Sequence, residues 1–300
     1  MFTAQKLVSA FGIEITGIDL AKQADDLQLF DAIVDQLHQH RFVVIRDQSL
    51  EMAEFSAFGH KWGEPIVHAL TKARANSGRL PHGFPEVLPI GNVGEQAKSE
   101  RFRYAAVFWH TDQAYEEKPA SATMLYCRKA PRTGGETLLA DMVAAYDALP
   151  DETKQQIDGL TVLHSYGAAS GKDGEHNAYG DLSEEEKKLF PVVKHPLVLR
   201  HPFNGRKTLY AVAGTAFGIE GMEEGPAQAL LQELKYHVLQ PRFTYAHKYR
   251  VGDIAIWDTF ATMHSATRIP PATSEEDSRL LWRISCRGEP ATVAKRGAAA

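Results

Sequence analysis

From Ala105 to Cys286 the chain is a succession of short strand-like runs with few helical patterns between them, and this spacing constrains the fold more than any other feature. The runs are Ala105–His110, Ala122–Cys127, Glu136–Ala140, Val192–Arg200, Lys207–Val212, Arg242–Arg250, Asp253–Asp258 and Leu280–Cys286, most of them rich in β-branched or aromatic residues. Asn204-Gly205 and Val251-Gly252-Asp253 supply turn signals between neighbouring runs. A doubly wound parallel sheet needs a helix after each strand, and this pattern does not provide them. It predicts a mostly β fold with helical insertions, a double-stranded β-helix or jelly roll. No repeat period or compositional break divides the chain, so residues 1–300 read as a single domain with about 293–300 frayed.

The N-terminal part is more mixed. Phe11–Leu20 alternates apolar residues around Gly12 and Gly17, a short strand with a kink, and Phe42–Ile45 reads as a buried strand. Between them Leu27, Phe30, Ile33, Val34 and Leu37 fall at helical spacing and predict a helix over Asp25–His40. A second helix is expected over Glu51–Lys61 with Ser49 as its N-cap, and others over Asp141–Leu149, Asp151–Gly159 and Gly225–Val238. Two polar stretches, about Pro65–Arg103 and Gly167–Lys187, read as long connections and candidate lids.

Composition excludes several classes. With 44% hydrophobic and 24% charged residues the chain is neither disordered nor fibrous. Its apolar runs fall far short of the ~20 residues of a membrane span, and Met1–Gly12 lacks the pattern of an export signal. A net charge of -5 gives no electrostatic reason to expect nucleic acid or a membrane as partner. Two cysteines, Cys127 and Cys286, provide no disulfide framework, so a reducing cytoplasm is expected and any metal site must be built from imidazole and carboxylate.

Thirteen histidines are the one unusual count, and position decides which of them matter. His110-Thr111-Asp112 closes an aromatic run, where an imidazole and a carboxylate two residues apart share a face if the strand continues. Far along the chain Gly252–Asp258 reads as a turn into a buried strand, followed by His264 and then by Arg279 and Arg283. Two histidines and one carboxylate can occupy one face of an octahedral iron(II), leaving three positions open for a bidentate 2-oxo acid and dioxygen. An arginine is the natural partner for the far carboxylate of such a co-substrate. A zinc hydrolase or cupin-like isomerase could use the same three ligands, and a binding module on the same double sheet would need no metal.

The motifs FWHTD, PRTGGETLLADMVAAYDALP, VGDIAIWD and SRLLWR together resemble the taurine dioxygenase and 2,4-dichlorophenoxyacetate dioxygenase family, over nearly the whole chain. The resemblance implies an iron(II)- and 2-oxoglutarate-dependent oxygenase that oxidises a C–H bond of a small, anionic organic molecule with dioxygen and releases succinate and carbon dioxide. Hydroxylation is the default outcome, because family members that halogenate lack the carboxylate that Asp112 supplies. Desaturation, cyclisation or C–X cleavage use the same ligands. The resemblance makes His110, Asp112 and His264 the iron ligands and the catalytic centre, and gives Arg279 and Thr137 the 2-oxoglutarate carboxylate. It places Arg283 and His68 against the substrate and leaves a homo-oligomer open. Thr259-Phe260 departs from the Asn-Arg that family members carry after the IWD segment.

Among the remaining residues, His195 and His201, each before a proline, read as strand-edge positions. Trp109, Trp257 and Trp282 are expected to point away from the metal into the core, and both cysteines to be small buried hydrophobes.

Overall fold

The computed structural model describes residues 2–7, 11–67, 83–104, 106–166, 191–291 and 293. In chain order its elements begin with β1 (Thr3–Lys6), β2 (Ile13–Thr16), α1 (Leu27–His40), β3 (Phe42–Ile45), α2 (Met52–His60) and β4 (Glu64–Pro65). Next come β5 (Leu88–Gly91), α3 (Glu100–Arg103), β6 (Ala122–Lys129), β7 (Thr137–Asp141), α4 (Met142–Asp147), α5 (Asp151–Ile157) and β8 (Thr161–His164). The last third holds β9 (Val193–Pro196), β10 (Val198–Arg200), β11 (Lys207–Leu209), β12 (Ala216–Ile219) and α6 (Glu224–Val238). It closes with β13 (Thr244–His247), β14 (Ile254–Asp258), β15 (Thr262–Ala266) and β16 (Leu280–Arg287).

The strands form a large sheet in the order β1-β2-β3-β14-β6-β16-β4, with β5 also paired to β16, and a smaller sheet in the order β13-β7-β15. Strand parity assigns every side chain of the large sheet to one of two layers. Val43, Ile45, Met124, Tyr126, Ile254, Ile256, Ile284 and Cys286 face α1 and α2 in one core. The alternate residues Phe42, Val44, Leu125, Cys127, Ala255, Trp257 and Leu281 face Leu139 and Tyr245 of the smaller sheet in another. The outer face of that sheet, through Ala140 and Met263, packs on α4 and α6. The result is a jelly roll, two facing sheets each backed by helices, as the strand spacing predicts.

Helix α1 shows how sequence and packing combine. Asp26 caps it by accepting from Leu29 N, and Arg41 ends it in the left-handed region at φ 64°. A cap is worth about 1 kcal/mol, whereas burying each of Leu29, Phe30, Ile33, Val34 and Leu37 contributes roughly 1.5–3 kcal/mol. Burial therefore decides this helix and the cap sets its start. Helix α2 starts on Glu51 rather than Ser49, because Glu51 and Glu54 form a reciprocal capping box that satisfies two backbone N–H groups at once.

The expected strand over Ala105–His110 is absent among the described residues, and a turn closed by Val107 N to Tyr104 O occupies that place. His195 lies on β9, the edge strand of the β12-β8-β9 sheet, as expected, but its side chain is buried, and His201 follows β10 and is not a solvated edge residue. His201 is 1% exposed, with Nε2 2.7 Å from Asp258 Oδ2 and Nδ1 accepting from the backbone of Phe203 and Asn204. It ties the β10–β11 turn to β14, which a solvated edge histidine would not do. No helix of the described residues is long and apolar enough to cross a membrane.

Candidate metal centre

The inner faces of the two sheets converge on one cavity of about 130 Å³. His110 reaches it from the segment before β6, through a single antiparallel bridge with His264 of β15 in which each backbone N–H donates to the other's carbonyl at 2.9 Å. That bridge does the work of the missing strand, bringing together two residues far apart in sequence. Gly214 makes room for it. Its φ of +75° is ill suited to other residues, and a Cβ there would sit 2.7 Å from His110 Cβ.

His110, Asp112 and His264 each offer one ligand atom, and these atoms lie within 4.8 Å of one another. Nε2 of His110 is 3.9 Å from Asp112 Oδ1, and Nε2 of His264 is 3.7 Å from Asp112 Oδ2. His110 Nδ1 lies 2.8 Å from Phe108 O, a group that only accepts, so Nδ1 carries the proton and Nε2 keeps its lone pair. Burial lowers the pKa of both imidazoles, that of His264 to about 3, although the Asp112 carboxylate opposes it. Both rings are neutral near pH 7, the state a metal requires.

Asp112 is held from two sides. Thr123 donates to Oδ2 at 2.8 Å and itself lies 2.8 Å from Ser285 Oγ, while Arg283 Nη2 donates to Oδ1 at 2.7 Å. Burial raises the pKa of this carboxyl, but Arg283, His264, His110 and Thr123 together outweigh it and hold it well below the usual carboxylate range. His264 is oriented differently. Its Nδ1 has no hydrogen-bond partner, and its ring packs 4.6 Å from that of Trp257. Trp257 thus lines the cavity rather than pointing away from it, because it shares parity with Ala255 on the inner face of β14. Two neutral imidazole nitrogens and one carboxylate, all opening onto a cavity, fit iron(II) with free positions.

Arg279 and Thr137 line the same cavity. Arg279 is 6% exposed, its Nε donates to Gly135 O at 2.8 Å, and no carboxylate among the described residues pairs with it. Gly135, at φ +77°, allows this approach, since a Cβ there would lie 2.9 Å from Arg279 Cδ. Thr137 Oγ1 is 2.8 Å from the hydroxyl of Tyr249, whose ring lies beneath the Arg279 guanidinium. Arg283, which the resemblance sets against substrate, is engaged with Asp112. His68 lies outside the described residues, as do 68–82 and 167–190 of the two candidate lids. Thr259 and Phe260 are not part of the lining. Phe260 instead packs against His201 and Tyr210, so this departure stays away from the donors.

Sequence reasoning missed Thr123, Ser285, Tyr249 and Arg103. For Thr123 and Ser285 a signal existed, since polar residues at the parity of Leu125 and Leu281 must face the inner core.

A family profile described as "Taurine catabolism dioxygenase TauD, TfdA family" matches residues 3–285. The "Alpha-ketoglutarate-dependent 2,4-dichlorophenoxyacetate dioxygenase" of Burkholderia sp. (strain RASC) is 29% identical over 276 residues, covering 88% of each chain. The "(S)-phenoxypropionate/alpha-ketoglutarate-dioxygenase" of Sphingobium herbicidovorans is 30% identical over 304 residues, covering 97% of this chain and 96% of that protein. Among solved structures, AAD-2 in complex with Mn(II) and N-oxalylglycine superposes with a TM-score of 0.77 at 27% identity, covering 97% and 99% of the two chains.

Proposed function

The chain belongs to the TauD/TfdA dioxygenase family, and on that premise we propose that His110, Asp112 and His264 hold iron(II) while Arg279 and Thr137 receive the far carboxylate of 2-oxoglutarate. The enzyme is an iron(II)- and 2-oxoglutarate-dependent dioxygenase acting on a small molecule. Bound iron, with 2-oxoglutarate and dioxygen as co-substrates, supplies the oxidant for a substrate C–H bond and yields succinate and carbon dioxide.

The chain's own residues position and protect this chemistry. Arg279 spends Nε on Gly135 and keeps its terminal nitrogens for a carboxylate, which suits a bidentate grip. Thr137 adds a hydroxyl held by Tyr249. Arg283 and Thr123 fix both oxygens of Asp112, so the ligand set needs no rearrangement to take a metal. Leu88, Ile90, Phe108, Leu125 and Ile269 make the rest of the lining largely apolar and exclude water from an oxidant that would otherwise attack the pocket. Asp112 keeps the carboxylate in the ligand set, which favours hydroxylation as the outcome. The substrate is read as anionic because, with Arg279 given to 2-oxoglutarate and Arg283 to Asp112, Arg103 remains in the lining without a buried carboxylate among the described residues. The compartment is read as the reducing cytoplasm, since Cys127 and Cys286 are buried free thiols, and residues 1–300 as one domain.

The observation that carries this reading is the presence of the three donors and the unpaired Arg279 in one cavity. Its test is turnover with iron(II) and 2-oxoglutarate over a panel of sulfonates, aryloxy acids and amino-acid-derived carboxylates. Substrate-stimulated oxygen uptake matched by succinate is expected. A zinc hydrolase or isomerase would consume no oxygen and release no succinate.

A further inference from the structure

We propose that Arg103 is the anion receptor for the substrate, so that the preference for an anionic over a neutral substrate rests on this residue and not on Arg283. The proposal rests on the dioxygenase reading above and deepens it.

Arg103 ends α3, lines the cavity, and its side chain is only 4% exposed. Its Nη1 donates to Ala97 O, and its ring neighbour is Tyr104, 5.3 Å from the guanidinium carbon. The one acid near it among the described residues is Glu100, whose Oε1 lies 3.8 Å from Nη2 but whose own side chain is 78% exposed. Such a pair contributes little, because solvent screens the carboxylate. Nε of Arg103 is buried with no hydrogen-bond partner. A guanidinium this deeply buried, with an unused N–H and no buried counter-charge, is costly to keep unless a ligand supplies the anion.

The other two arginines of the lining are accounted for. Arg283 is bound to Asp112, and using it for substrate would strip a hydrogen bond from a metal ligand. Arg279 is turned to the 2-oxoglutarate end through Gly135 and Tyr249. Only Arg103 lacks an assigned anion. Leu88, Ile90, Phe108 and Ile269 share the lining with it and match an alkyl or aryl body. A planar fork of donors accepts a carboxylate or a sulfonate, and binding separates the two.

The test is calorimetric titration of anaerobic protein loaded with iron(II) and 2-oxoglutarate. The probes are octanoate, 1-octanesulfonate and neutral 1-octanol, against wild type, R103Q and R103K. We expect at least one anionic probe to bind wild type at least tenfold more tightly than octanol, and R103Q to erase that difference while R103K keeps part of it. The visible absorption of the iron(II)–2-oxoglutarate complex should be the same in all three proteins. Its presence shows that the variants fold, and its absence in wild type would reject the dioxygenase reading rather than the Arg103 assignment. Equal affinity of wild type and R103Q for the anions, no preference over octanol, or no binding of either anion to wild type overturns the proposal.

Discussion

The two ends of the cavity are built on opposite principles. At the metal end two of the three ligands are anchored: Asp112 has Thr123 on one oxygen and Arg283 on the other, and His110 has Phe108 O, while His264 is held by its ring contact with Trp257. At the other end polar groups are buried and left wanting. Arg103 Nε has no partner, and Arg279 has no carboxylate among the described residues. The first arrangement is organised before any ligand arrives; the second waits for the ligands to complete it. Stability and affinity should therefore respond differently to changes at the two ends.

The largest effect expected on stability is from R283Q. It leaves Asp112 buried without its cation, and metal-free protein should lose about 3 kcal/mol in a urea melt. Next, R279Q removes charge-assisted bonds to the co-substrate. The Kd for 2-oxoglutarate should rise ~10–150-fold, yet the melting temperature should fall much less than in R283Q, because only the hydrogen bond to Gly135 and the Tyr249 contact are lost and no protein carboxylate loses a partner. A drop in stability as large as that of R283Q would erase the contrast between the two ends. T123V keeps the shape but removes the hydroxyl on Asp112 and should weaken metal binding ~10–100-fold in a Co(II) titration. A separate effect concerns pH. His164 and His247 are buried, and desolvation pushes both pKa values from the ordinary 6.5 to about 3. Below pH 6.5 the unfolded chain takes up protons that the folded chain refuses, so stability present above 6.5 is lost as the pH falls toward 3. Thermal melts at pH 7 and pH 5 should differ by several degrees, the more acidic sample being less stable.

The same contrast explains what was legible in the sequence. Short, almost wholly apolar runs such as Phe42–Ile45 and Ile254–Asp258 announce buried strands because each face meets a different core, and Asp141 announces a helix because its side chain caps one. His110 and Asp112 were legible as a local pair, whereas His264 lies far along the chain and joined them as an expected donor through the family motifs. For His110 the local reasoning from a continuing strand does not apply: no strand runs through it, and a single bridge to His264 sets its position. Arg103 was illegible. It sits on a short helix inside a polar connection, and only tertiary packing buries its guanidinium in the cavity wall. The expectation for Trp257 fails because it shares the parity of Ala255, which puts it on the inner face of β14 beside His264.

The most direct measurement of the central claim is the visible absorption of anaerobic protein given iron(II) and 2-oxoglutarate. A weak metal-to-ligand charge-transfer band is predicted for wild type, and none for His110→Ala. No band in wild type, or a band of undiminished strength in His110→Ala, would contradict a site built on His110, Asp112 and His264.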